Sequence, residues 1–280
     1  PENPYRFRES VWGSPLRGQS PMGASGKNPP AGAVIWYHLR NSGETVTLSF
    51  RDSKGDQVAT FSSQKDPNQI GTPRNPPPDP LKNKAGLNQF VWDLRYPGPL
   101  QIPGAIYRRY DPVGPIAPPG QYEVEMRVGK IRSSHSFEIL ADPRLETTQD
   151  EFNEQHRFLL AVRDEITTTH EVVFRIREFR GPLESKVKGK LLSASKKRAQ
   201  ESIITELLVI EEQLNQFQAK ATQDLINFPT RLDDKLSTLF TLVEMSDSPP
   251  TAQDYELFDD LKDRIQKQVA KFEEITKMGK

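Results

Sequence analysis

Proton transfer and metal ligation would fall first to the four histidines, His38, His135, His156 and His170. The first two lie in stretches that alternate like strands. His156 and His170 are fourteen residues apart in one helical stretch, about 21 Å along the axis, too far to share a metal ion. No HExxH, paired-histidine or Asp-rich calcium loop accompanies them, so neither zinc nor calcium is expected. The chain has no cysteine, which removes a thiolate nucleophile, an iron–sulfur site and any disulfide scaffold. Glycines nowhere take the GxGxxG or GxxxxGK[ST] spacing of a nucleotide cradle. Gly13-Ser14-Pro15 and Gly18-Gln19-Ser20 do not form a nucleophile elbow. Among the carboxylates, Asp93 beside Trp92 is the one that suggests a sugar site. The competing reading turns Trp92 into a core and leaves Asp93 to bind loop backbone at a strand end.

Lys186, Lys188, Lys190, Lys196, Lys197 and Arg198 form a basic cluster with no acid between positions 185 and 200. Such a cluster suits an anionic surface; it equally suits a solvated connector between two helices, with Gly189 as the breaker. Overall the charges cancel, 38 Lys and Arg against 38 Asp and Glu in 280 residues. That balance argues against a nucleic-acid partner, whose phosphates require a basic excess. No run approaches the roughly 18 apolar residues of a membrane span.

Proline separates the elements that must carry these groups. Of 24 prolines, 19 fall in residues 1–120, together with 13 of the 17 glycines. Proline removes a backbone donor and blocks helix interiors, so the first half must be strands, turns and loops. The change falls at Ala141-Asp142-Pro143-Arg144, the expected domain boundary. Residues 1–143 carry 17 basic and 13 acidic side chains, and residues 144–280 carry 21 and 25. The halves therefore differ only from +4 to −4, enough for weak steering.

Residues 1–30 hold six Pro and four Gly and cannot offset their ordering entropy alone. They read either as a linker or disordered tail, or as an extended arm with Tyr5, Phe7, Val11, Trp12, Leu16 and Met22 as anchors. Strands follow at 33–39, 45–50, 57–61, 88–94, 121–128 and 131–139, on apolar runs or period-two alternation. Turns at 52–56 and Gly129-Lys130 make two hairpins. Six or seven short antiparallel strands predict a β-sandwich, interrupted by long Pro-rich loops at 62–87 and 96–120.

Beyond 148 the pattern is helical. Thr148-Gln149-Asp150-Glu151, Thr230-Arg231-Leu232-Asp233 and Thr251-Ala252-Gln253-Asp254 each have capping-box spacing. Phe152, Leu159, Ile166 and Val173 repeat at sevens, as do Ile203, Ile210 and Phe217, and Leu207, Leu214 and Ala221. The aromatic stripe Phe152, Phe158, Phe174 and Phe179 reads as core. Such stripes joined by loops predict an antiparallel bundle of three to four helices.

Gly86-Leu87-Asn88-Gln89-Phe90-Val91-Trp92-Asp93, preceded by the 45–61 hairpin and followed by Pro119-Gly120-Gln121-Tyr122-Glu123-Val124, resembles the Ig-like module of flagellar hook-capping type. With Asn28-Pro29-Pro30-Ala31-Gly32-Ala33-Val34-Ile35, Asp142-Pro143-Arg144 and the stretch 223–232, about 250 of 280 residues resemble the C-terminal region of exported bacterial sortilin-like proteins with BNR-repeat propellers. The resemblance implies an exported, non-catalytic Ig-like domain plus helical bundle. It carries over no catalytic residue, because a hydrolase label on such proteins belongs to propellers that this chain lacks.

The expected architecture is therefore a multidomain all-β plus all-α chain: an arm at 1–30, an Ig-like antiparallel β-sandwich at 31–143, and an antiparallel helical bundle at 144–280. The expected role is a non-catalytic structural or docking subunit of an extracytoplasmic assembly, periplasmic or at the cell surface. Pro1 in place of Met reads as a processed or truncated chain, with a signal peptide already removed. Its partners would be other protein subunits of an envelope or membrane-associated complex, bound through the N-terminal arm and the Pro-rich loops by Tyr5, Phe7, Trp12, Leu16, Met22, Tyr107 and Tyr110. The alternative is a carbohydrate-binding or surface-attachment module with Trp12, Trp92 or the Tyr107–Tyr110 loop as the sugar platform. No catalytic residue, cofactor or metal is expected.

Overall fold

The computed structural model describes residues 3–6, 30–67, 69–72, 76–108, 110–189 and 192–278. Phe7, Trp12, Leu16 and Met22 lie outside these residues. Among the described residues, seven strands are followed by four α-helices, an α+β combination. The strands are β1 (Tyr5–Arg6), β2 (Ala33–Leu39), β3 (Val46–Asp52), β4 (Gln57–Ser62), β5 (Gly86–Trp92), β6 (Gly120–Val128) and β7 (Ile131–Ala141). They form a five-stranded sheet in the order β1-β7-β6-β3-β4 and a two-stranded sheet, β2-β5.

Period-two patterning places the core. Val46, Leu48 and Phe50 of β3 are buried, as are Ala33, Ile35, Tyr37 and Leu39 of β2. Both sheets contribute to one cluster, centred on Trp92, whose ring stacks on Phe50 with centroids 4.4 Å apart. Its indole Nε1 donates to Arg95 O at 3.0 Å, so the buried ring leaves no polar atom unmet. The corner that permits this bond holds Leu94 at φ 63, an uncommon conformation for a bulky residue. Burial of Leu94 and a 2.7 Å bond from Ala117 N to its carbonyl hold it there. The expectation of an all-antiparallel arrangement needs correction. β1, in the segment read as an arm, runs parallel to the end of β7, with Tyr5 opposite Leu140.

The helices are α1 (Gln149–Lys188), α2 (Ala194–Leu214), α3 (Leu232–Glu244) and α4 (Ala252–Met278). Thr148 caps α1 in the expected reciprocal box with Glu151. Thr251 likewise accepts from Asp254 N. α1 extends about 60 Å at 1.5 Å per residue. α4 lies alongside it in the same direction, with Phe158 against Phe258 near one end and Phe179 against Phe272 toward the other. α2 and α3 run the opposite way, one after the other. Arg177 of α1 meets Glu211 of α2, then His170 meets Asp233, then Gln155 meets the end of α3 at Val243. The bundle thus has three columns, one broken between residues 215 and 231. The heptad stripe of the second helix ends early, at Leu214, leaving Phe217 and Ala221 in the connector. Asn215 leaves the helix to donate its side-chain amide to Asp233 Oδ2 at 2.6 Å.

The loop 96–119 reaches this break. Ile102, Ala105 and Tyr107 are buried in the same cluster as Leu159, Ile166 and Leu236. Fully burying Ile102 alone contributes about 1.5–3 kcal/mol. Side chains from the expected first domain therefore complete the core of the second. Gly114 lets the loop depart, since a Cβ there would collide with the Tyr96 carbonyl.

Candidate functional site

Two polar seams fasten loop and sheet to the helices, and they hold most of the groups that chemistry would need. The first is built where the helical column is broken. His170, on the face of α1 turned to the loop, is fully buried, with Nδ1 against Leu100 O and Nε2 3.2 Å from the Tyr107 hydroxyl. Burial, together with the carboxylates of Asp233, Asp234 and Asp111, pushes the Tyr107 phenol well above its usual range. Tyr107 therefore keeps its proton, and its hydroxyl is the hydrogen-bond partner of Nε2, while Nδ1–H donates to Leu100 O. Asp233 Oδ2 lies 3.5 Å from the same Nε2 and accepts from Asn215. Asp234, next in α3, accepts from Arg108 N at 3.0 Å.

This seam explains a capping box that does not form. Thr230 was expected to cap α3 with Asp233 as its partner, yet the N-cap is Arg231 without a side-chain bond. Asp233 is turned inward to Asn215, and the Thr230 hydroxyl instead accepts from Arg108 at 3.4 Å.

The second seam lies at the end of α3. Arg95 Nη1 donates to both oxygens of Glu244, at 3.0 and 2.9 Å, and Glu244 also accepts from Ile116 N. Arg6, from β1, is 2% exposed. Its Nε is 3.2 Å from Asp247 Oδ1, its Nη2 donates to Gln155 Oε1 at 2.9 Å, and its guanidinium lies 5.0 Å above the Phe152 ring. Beside it His156 packs against Tyr96, with ring centroids 4.5 Å apart. Burial pushes the His156 imidazole down to about 4, and the Arg6 cation adds to this.

A triad of histidine, carboxylate and hydroxyl invites a relay reading, but the geometry supports a positioning one. Both nitrogens of His170 are engaged within the chain, and His170, Asp233 and Tyr107 are all sealed from solvent. A cleft of about 310 Å³ opens nearby, lined by Ile102, Ala105, Arg177, Asn215, Phe217 and Lys220. It meets the seam only through Asn215. No group of three or more His, Asp or Glu among the described residues is placed to hold a metal ion. Tyr107→Phe, which takes the hydroxyl away from His170 Nε2, is expected to cost about 1–2 kcal/mol. An unchanged urea midpoint would show that the hydroxyl carries no weight.

The residues expected to bind a partner are scattered. Tyr5 is exposed on β1. Tyr110 is half-buried, and its carbonyl accepts from Ser237 Oγ at 2.8 Å. Tyr107 corrects the expectation: at 1% exposure it faces the protein's own helices. Trp92 is fully buried, so neither it nor Tyr107 can serve as a sugar platform. Asp93 accepts from Arg95 N at 3.1 Å, the strand-end role already anticipated. Of the basic cluster, Lys186, Lys188, Lys196, Lys197 and Arg198 are exposed around the connector between α1 and α2. Among the described residues, no helix is long and apolar enough to cross a membrane.

No known family model matches this sequence, and no curated protein does.

Proposed function

We propose that the chain is a non-catalytic structural and docking subunit of a larger extracytoplasmic assembly, periplasmic or at the cell surface. The observation that carries this reading is where the reactive groups are spent. His156, His170, Asp233, Glu244 and Asp247 are all buried, and each faces groups of its own chain rather than an open cleft. Their arrangement positions loop 96–119 and β1 against the helices, and none of these five side chains is presented to a substrate.

The β part is read as an Ig-like sandwich. Two features support this: the single core shared by two sheets, and the Tyr122 hydroxyl, which bonds Pro118 O four residues upstream at the start of β6, as in the tyrosine corner of such domains. Within the proposal, the likeness of the motif set to the tails of sortilin-like exported proteins supplies the compartment. The partner is another protein of an envelope or membrane-associated complex, engaged by the arm at 1–30.

Testing the arm by deletion would strip Arg6 from its buried site, so substitution is the cleaner experiment. A chain carrying Trp12→Ser, Leu16→Ser and Met22→Ser keeps β1. It is expected to lose the complex that native mass spectrometry recovers with wild type from the source envelope. Recovery at wild-type stoichiometry would mean that the arm does not dock.

A further inference from the structure

We infer that the edge of β7 left unpaired among the described residues, 131–136, is a homotypic interface that pairs antiparallel with the same stretch of a second copy of this chain. The inference goes beyond the docking role of the arm and does not depend on it.

Among the described residues the edge is open, and its hydrogen-bonding groups can be assigned. β7 pairs with β6 from Ile131 to Ile139 on one side. On its other side, among the described residues, only β1 is paired, at Leu140 and Ala141. There Leu140 N donates to Pro4 O, and Glu138 N donates to Asn3 Oδ1 at 3.1 Å. In an antiparallel ladder each residue directs both its N–H and its C=O to the same neighbour, alternating along the strand. The even residues of β7 therefore face away from β6, and Arg132, Ser134 and Ser136 present theirs to solvent. Residues 131–136 are all exposed.

Edges of this kind are normally blunted with lysine, proline, a bulge or a covering loop. The opposite edge of the sheet has such a cover, since Leu81 N donates to Ser62 O at the end of β4. Residues 131–136 contain no proline or lysine, and their pairing with β6 runs without a register shift. Their one charge, Arg132, reaches Glu125 of its own sheet at 4.0 Å.

Charge and length select the occupant. A two-fold axis at Ser133 sets Arg132 opposite Ser134 of the other copy, Ile131 opposite His135 and Lys130 opposite Ser136. Each lysine or arginine then faces a serine, so no like charges are opposed. The Arg132–Ser134 pairs exchange four backbone hydrogen bonds across the axis. Ile131, 70% exposed in the single chain, gains a cross-strand neighbour. The pairing stops short of Glu138, where Asn3 is already docked. The same edge accepts β1 on its next stretch, so a strand can approach it.

An interface this short is weak, so sedimentation velocity should be followed into the millimolar range. The wild type is expected to pass from monomer to dimer. Ser134→Pro removes only an outward N–H, and Ser134→Lys sets a lysine against Arg132 of the other copy. Both variants should remain monomeric with wild-type far-UV circular dichroism. If Ser134→Pro loses its folded spectrum, Ser134→Lys decides alone. A wild type that stays monomeric throughout, or a dimer that survives the substitutions, overturns the inference.

Discussion

Arg6→Ala is expected to destabilise the protein by about 3–5 kcal/mol, because it breaks a buried ion pair by removing one partner. The guanidinium and the Asp247 carboxylate are each 1% exposed at the side chain, 3.2 Å apart. With Arg6 gone, Asp247 keeps its burial and loses that cation, while Gln155 Oε1, Ala117 O and the face of Phe152 lose the same group. Arg6→Lys would not restore these contacts, since one ammonium cannot reach partners arranged around a planar fork. The double variant Arg6→Met with Asp247→Leu should recover most of the loss, because an apolar pair avoids a buried carboxylate deprived of this cation. Urea denaturation at constant m-value reads these differences. A shift below about 1 kcal/mol for Arg6→Ala would place the pair in the class of exposed bridges, against its burial.

Acid should weaken the protein through His156. Its imidazole titrates near 6.5 when unfolded and is pushed down to about 4 in the native state, by burial first and by the Arg6 cation second; the Ile116 backbone and Asp52 pull the other way, and Arg163 lowers it further. Below pH 6.5 the unfolded chain takes up a proton that the folded chain refuses, so stability falls as pH falls. The loss stops near pH 4, where the native imidazole also protonates, and amounts to about 3 kcal/mol at 1.36 kcal/mol per unit. His156→Phe keeps a ring against Tyr96 and removes the proton. The difference between its stability and that of the wild type should therefore change across pH 4–6.5 and level off above. A difference curve flat with pH would refute the assignment. Arg6→Met should raise the His156 pKa and make the acid loss shallower, coupling the two results.

Local signals were the readable ones. Six strands lie where alternation or an apolar run places them, and β2 matches the expected 33–39 end to end. Helix starts were legible at Thr148 and Thr251, because a capping box is complete within four residues. Thr230 has the same spacing and fails because Asp233 answers Asn215, eighteen residues earlier. For the same reason the sevenfold repeat ran past Leu214. Periodicity records which face is apolar, and it carries no information about a side chain that leaves the helix for a distant carboxylate.

The seams were not legible at all. Arg6, between the aromatic residues Tyr5 and Phe7, carries no local signal, because its ionic partner Asp247 lies 241 residues away. An aromatic ring in a Pro-rich loop marks Tyr107 as an outward anchor, yet it is buried. The signal that points inward is the length of the loop: a segment of 24 residues with Ile102 and Tyr107 in it requires a surface to pack on.

The penetration of loop 96–119 into the helices also has a consequence in time. Synthesis runs from the N-terminus, and Asp233 follows Tyr107 by 126 residues. At about 5–20 residues per second, the loop waits on the order of 6–25 s before its partners on α3 exist. Throughout that interval the nascent loop displays the flank of Ile102 and Tyr107 that α3 covers, a timed vulnerability that ends only when α3 arrives.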